Sequence, residues 1–165
     1  MAEPHLSDRA LVYRRLAKDY GNRVFAVCFG MLGNSHDAED VAQQTLLKGF
    51  ANIEQLEDEQ KFGAWICKIA RNLCVDFIRK QRREKTIDPA CVVQRQNGRK
   101  DYTELHSALT KLSEEYRVAL MLYYFDGQST RSVAEAMGIS EAAAQTRLSR
   151  ARKQLREVLE ANRGI

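Results

Sequence analysis

FDGQSTRSVAEAMGISEAAAQTRLSRAR, residues 125–152, carries the strongest pattern of turns and apolar spacing in the chain. Asp126-Gly127 ends one helix, and Ser129 is placed to cap a short second one through Val133, Ala134 and Met137. Gly138 turns the chain, and Ser140 caps a long basic helix from Glu141 to about Leu159. A helix, a glycine turn and a second helix opening on Ser-Glu is the sequence form of a helix-turn-helix. In the long helix Ala144, Leu148, Ala151 and Leu155 fall on one stripe, which packs inward. Glu141, Ala142, Gln145, Thr146, Ser149, Arg150 and Lys153 fall on the other side. Small residues at its start would let the backbone approach a major groove, and Gln, Thr and Arg can read base edges or phosphates. Many regulators share this element, so alone it implies DNA binding and no more.

Upstream, Ser113 with Glu114 and Glu115 opens a helix through Val118, Leu120, Met121 and Leu122 to Phe125. Before it, from about Thr86 to Asp101, periodicity fails: Asp88-Pro89 and Asn97-Gly98 are turn formers without a sustained apolar face, which predicts a flexible linker. The first half reads as helix. Val12, Leu16 and Tyr20 begin a stripe that resumes after Gly21 and runs to Leu32, where Gly33-Asn34 breaks the chain. Ser35 is the expected N-cap of the next helix, which buries Ala38, Val41, Ala42, Thr45, Leu46, Phe50 and Ile53. A third helix, from about Glu59 to Arg83, places Phe62, Trp65, Ile66, Ile69, Ala70, Leu73, Phe77 and Ile78 inward and a basic face outward. The predicted architecture is all-α: two small helical domains, residues 1–85 and 102–165, joined by a linker over 86–101.

Charge is blocked along the chain. From His36 to Gln60 seven acids, among them Asp37, Glu39 and Asp40, stand against Lys48 alone. From Lys61 to Lys100 the balance reverses to eleven bases against three acids, and the C-terminal helix is basic again. Blocks of opposite sign imply two kinds of partner, the basic ones fitting a polyanion. Cys28, Cys67, Cys74 and Cys91 form no Cys-x-x-Cys pair and have no nearby histidine, so no metal site is expected and buried reduced thiols are. Residues 1–8 carry no signal-peptide pattern and no run approaches the span of a bilayer, which predicts a cytoplasmic protein without membrane insertion. No P-loop, glycine-rich phosphate cradle or triad pattern occurs, so neither an enzyme nor a cofactor is expected.

Five segments carry a family resemblance. Leu112–Leu120, Val133–Ser140 and Arg147–Arg152 resemble region 4 of the extracytoplasmic-function (ECF) sigma factors, which reads the promoter element near −35. Met31–Gln43 resembles the polymerase-binding segment of their region 2, and Phe62–Leu73 its −10-binding segment. The resemblance implies a non-enzymatic subunit that directs core RNA polymerase to promoters. Asp37, Glu39, Asp40, Gln43 and Gln44 would then dock on the β′ clamp helices, with further contacts to the β subunit; the family usually has Gln-Glu where this chain has Gln43-Gln44. Leu56, Lys61, Lys68, Arg71, Asn72 and Arg79 would serve the −10 element, Asn72 toward a flipped base and the cations along the strand. Leu56 stands where the family often has an aromatic residue. Arg117, Gln145, Thr146, Arg147, Ser149, Arg150 and Lys153 would serve −35, Arg117 through phosphate. An anti-sigma factor is the expected regulator. The competing reading is a stand-alone helix-turn-helix regulator binding operator DNA, which accounts for the second half but leaves the acidic helix and the basic Trp65 helix without a purpose.

Overall fold

A computed structural model describes residues 6–87 and 103–164. Its elements are α1 (Leu6–Leu32), α2 (Ser35–Ala51), two short 3₁₀ turns (Ile53–Gln55 and Glu59–Lys61), α3 (Phe62–Ile87), α4 (Thr103–Thr110), α5 (Glu114–Leu120), α6 (Thr130–Met137) and α7 (Glu141–Arg163). No strand occurs among the described residues, and no helix among them is long and apolar enough to cross a membrane. The all-α expectation holds. Helix α3 continues to Ile87; the rest of the expected linker, with Cys91, lies outside the described residues.

Helices α1, α2 and α3 form one bundle. Its centre is Val24, Val27, Cys28, Val41 and Ile66, all essentially without solvent contact. The α2 stripe turns inward as its spacing requires, with Ala38, Val41, Ala42 and Thr45 buried. Buried Thr45 is satisfied locally: its hydroxyl donates to the Val41 carbonyl at 2.7 Å. The cap of α2 is one residue earlier than expected. Asn34, in an extended conformation, accepts the Asp37 amide through Oδ1 at 3.1 Å, and Ser35 is already helical. An Asn side chain before the first turn does what Ser35 was expected to do, since both residue types cap well.

Helices α4 to α7 form the second bundle, around Leu122, Val133, Ala144, Leu148 and Ala151. The helix-turn-helix is α6, Gly138 and α7. Ser129 and Ser140 cap their helices through side-chain oxygens that accept the Ser132 and Ala143 amides. Gly138 has φ 66°, a left-handed conformation that costs other residues strain and glycine little. Ser113 stands at the N-terminus of α5 but makes no side-chain cap bond there. Past Leu120 the helix widens into a π-turn, Met121–Phe125.

The two bundles are in contact, an arrangement local periodicity does not specify. Helix α5 crosses α1 at Gly30, where a Cβ would lie 2.6 Å from Val118 Cα; only a glycine permits that approach. Arg23 on α1 donates to Asp126 Oδ2 at 3.2 Å and to Gln128 Oε1 at 2.6 Å. Phe25 packs on Phe125 and Phe29 on His106. From α3, Arg71 donates to the carbonyl of Ala136 at the end of α6.

Candidate functional site

Three faces carry the residues singled out by sequence. The first is on α2. Glu39, Asp40, Gln43 and Gln44 are exposed side by side, while Asp37 is half-buried and accepts from Gln81 Nε2 at 3.5 Å. Asp40 also pairs with His36 at 3.3 Å. Leu47 extends the same face by one turn and is 56% exposed. The sequence reading left it out of both the buried stripe and the acidic docking set. Its signal was the spacing, four residues past Gln43 and three past Gln44. The α2 face is therefore an acidic and amide-bearing surface with an apolar end.

The second face is where the 3₁₀ turns meet α3. A cavity of about 470 Å³ opens there, with Leu56 and Asp58 on one wall and Lys61, Trp65, Lys68 and Arg71 on the other. Trp65, expected in the core, is half-buried: it packs on Phe62 and also lines this cavity. Lys61 and Lys68 are exposed at its edge. Asp58 fixes the entry to α3 by accepting the Gln60 amide. Asn72 and Arg79 are exposed further along α3 and do not line the cavity. An aromatic wall with flanking ammonium groups and a guanidinium suits an unstacked base and its phosphates. Glu135, from α6, also lines the cavity, so the second bundle shares its rim.

The third face is on α7. Gln145, Thr146, Ser149, Arg150 and Lys153 are exposed together, opposite buried Ala144, Leu148 and Ala151. The Thr146 hydroxyl donates to the Ala142 carbonyl at 3.0 Å. Arg147 sits between surface and core, paired with Glu115 of α5 at 3.4 Å. Arg117 is not on this face. Its Nε donates to the Gly30 carbonyl at 2.8 Å and its Nη1 to the Leu112 carbonyl at 2.8 Å. Burial pushes its pKa down, with Glu114 opposing.

The thiols lie behind these faces. Cys28, Cys67 and Cys74 are buried. The neighbouring Cys74 thiol and burial push Cys28 up, and burial pushes Cys67 up to about 11 although Arg23 and Arg71 oppose it. Neutral thiols of this kind pack as small hydrophobes. No cluster of metal-ligating side chains occurs among the described residues.

Sequence comparison identifies both bundles. The profile of Sigma-70 region 2 matches residues 16–84, and that of Sigma-70 region 4 matches residues 102–155. The ECF RNA polymerase sigma factor SigM of Bacillus subtilis (strain 168) is 31% identical over 154 residues, 88% of this chain and 93% of the relative. The chain belongs to the ECF sigma factor family. The ECF sigma factor EcfG of Rhodopseudomonas palustris (strain TIE-1) is 34% identical over 143 residues, covering 83% and 78% of the two chains. Among solved structures, the sigma factor RpoE in complex with the anti-sigma factor NepR from Bartonella quintana superposes with a TM-score of 0.70 at 27% identity, over 89% of this chain and 95% of that one. CnrH in complex with the cytosolic domain of CnrY, at 23% identity and a TM-score of 0.67 over 90% and 88% of the chains, shares the fold. In this ECF sigma factor the α2 face and the α3 cavity fall inside the region 2 match, and the α7 face inside the region 4 match.

Proposed function

We propose that this chain is a promoter-specificity subunit of RNA polymerase, with residues 1–85 serving polymerase and the −10 element and residues 102–165 serving −35. The observation that carries the reading is the division of chemistry between helices: an acidic, amide-bearing face on α2 and two basic faces on α3 and α7. A stand-alone operator binder needs only the last. The α2 face docks on the basic clamp helices of β′, where complementary charge supplies rate and register and Leu47 adds desolvated area. The cavity beside Trp65 receives a −10 base extruded from the non-template strand. Lys61, Lys68 and Arg71 hold the flanking phosphates, and Asn72 and Arg79 continue the track along α3. Helix α7 enters the −35 major groove with Gln145, Thr146 and Ser149 toward base edges and Arg150 and Lys153 toward the backbone. Arg147, positioned by Glu115, closes that set. The protein performs no chemistry; the free energy of strand opening comes from contacts made by the holoenzyme. An anti-sigma factor is the regulator this reading implies, as in the RpoE–NepR complex of the solved relative.

The test is binding of the purified chain to core RNA polymerase, with Asp40→Arg as control, followed by run-off transcription from a genomic promoter pool. The expected result is tight binding lost in the variant and discrete new transcripts with the wild type. Operator-like duplex binding by the chain alone, without any affinity for core, would replace this reading with the stand-alone regulator.

A further inference from the structure

The exposed face of α7 has two edges. Residues two apart on a helix project about 160° from each other, so Arg150 and Arg152 stand on opposite edges with Gln145, Thr146 and Ser149 between them. Both arginines are exposed. An α-helix with its side chains is about 10–12 Å across, and the major groove is about 12 Å wide. A helix seated in the groove therefore turns its two edges toward the two phosphate backbones that line it. Arg150 serves one backbone, and the other falls to Arg152.

Two tyrosines of the π-turn hold Arg152 at that edge. Its Nη1 donates to the Tyr124 hydroxyl at 3.3 Å, and its guanidinium carbon lies 5.9 Å from the centre of the Tyr123 ring. The two rings stand at 76° with their centroids 5.0 Å apart, so each braces the other. At the opposite edge Arg147 is paired with the Glu115 carboxylate. Among the described residues no carboxylate pairs with Arg152. Its charge is restrained without being neutralised, and most of its N–H donors are left for a ligand. Tyr124 is 61% exposed, and its hydroxyl, while accepting from Arg152, keeps its own proton to donate.

We infer that Tyr124 and Arg152 form a phosphate clamp on the backbone opposite Arg150. Arg152 contacts the phosphate. Tyr124 positions the guanidinium and donates its hydroxyl proton to the same phosphate, as tyrosines do on a DNA backbone. The inference rests on the promoter reading above and extends it, since the −35 duplex is then gripped from both sides of the groove. A guanidinium already held by a hydroxyl and a ring loses less rotamer freedom on binding than one that swings in water. That gives a physical use to an exposed tyrosine at the edge of a DNA-reading helix.

The clamp is tested in holoenzyme assembled with the full chain, on a promoter duplex taken from the run-off pool, by measuring affinity against salt. Both side chains are at the surface, so the variants are expected to keep the wild-type circular dichroism spectrum. Arg152→Ala is expected to lower affinity roughly tenfold and to make the slope of log affinity against log salt shallower by about one, the effect of one lost phosphate contact. Tyr124→Phe keeps the ring and removes the hydroxyl. It should lose about three- to tenfold with the slope unchanged, because the cation remains. In an Arg152→Ala background the same change should cost less, since part of its effect passes through Arg152. Single neutral methylphosphonates placed in turn along the −35 element should reveal one position at which wild type loses affinity and Arg152→Ala does not. An unchanged salt slope in Arg152→Ala, or no such position, overturns the contact. Tyr124→Phe binding as tightly as wild type overturns the positioning. Wild-type holoenzyme that prefers its promoters while both variants match it sinks the clamp alone. Wild-type holoenzyme without any promoter preference sinks the promoter reading and the clamp together.

Discussion

Replacing Arg117 separates two roles that make opposite demands. The family resemblance gives it a phosphate contact, whereas in the structure it gathers backbone carbonyls: Gly30 at the end of α1 and Leu112 before α5, each at 2.8 Å, with Met31 and Thr110 at a longer 3.4 Å. The Gly30 and Met31 carbonyls lie in the last turn of α1, where no helical amide follows to pair with them, and a cation there is also favoured by the dipole. A hydrogen bond from a charged donor contributes about 1.5–3 kcal/mol when buried. Arg117 is only half-buried, so water takes over part of the loss, and Arg117→Ala should cost about 2–4 kcal/mol in total. Arg117→Lys keeps the charge, but one ammonium cannot bridge the Gly30 carbonyl on α1 and the Leu112 carbonyl before α5 as a guanidinium does, so it should recover about half. Urea unfolding followed by far-ultraviolet circular dichroism measures both. For −35 duplex binding by holoenzyme, the slope of log affinity against log salt should be unchanged in Arg117→Ala. The carbonyl-gathering role is refuted if Arg117→Ala unfolds within about 0.5 kcal/mol of wild type while that slope falls by about one, the signature of a lost phosphate contact.

Three further outcomes are expected. Leu148, 1% exposed in the region 4 core, should cost about 3 kcal/mol when changed to Ala. In a bundle of this size that removes most of the stability, so hydrogen exchange should show α7 opening while α2 and α3 stay protected. Ser140→Ala removes the acceptor for the Ala143 amide and should cost about 1 kcal/mol, whereas Ser113→Ala, at a position without a side-chain cap bond, should cost well under half of that; equal losses in urea melts would contradict the capping assignment. Burial holds the Cys67 thiol at about 11 in the folded chain, against about 8.5 unfolded. Below about pH 8.5 the thiol is neutral in both states and its contribution is fully present. Above that the unfolded state ionises first, so stability should fall by up to about 1.4 kcal/mol per pH unit until the pH passes the folded value. Urea midpoints between pH 7 and 10 should therefore decline less steeply in Cys67→Ala than in wild type.

Much of this protein could be read in the sequence because the deciding signals are local. The apolar stripes of α2, α3 and α7, the Ser129 and Ser140 caps and the Gly138 turn each involve residues within two helical turns, and each is found where the spacing puts it. The exposed polar face of α7 follows from the same stripe, since residues opposite a buried Leu148 have nowhere else to point. Short elements without a full period were less legible. Helix α4 spans only eight residues and was not expected, and the π-turn over Met121–Phe125 leaves no mark in a 3.6-residue pattern. Near ties between adjacent capping residues, Asn34 and Ser35, are settled by the backbone conformation that the packed helix imposes.

Periodicity alone set the inward face of each long helix, apart from Trp65 at the edge of the α3 stripe, because burial of an amphipathic stripe follows its spacing. Which faces meet was set by the packing of the folded chain. That α5 lies on α1 at Gly30, that Arg117 turns to α1 carbonyls and that Arg71 reaches Ala136 all depend on contacts between residues far apart in the chain. A long cationic side chain has several acceptors within reach, and its sequence neighbours do not choose among them. The packing of the two bundles brings particular acceptors close, and the cost of leaving carbonyls and charges unpaired out of water fixes the choice.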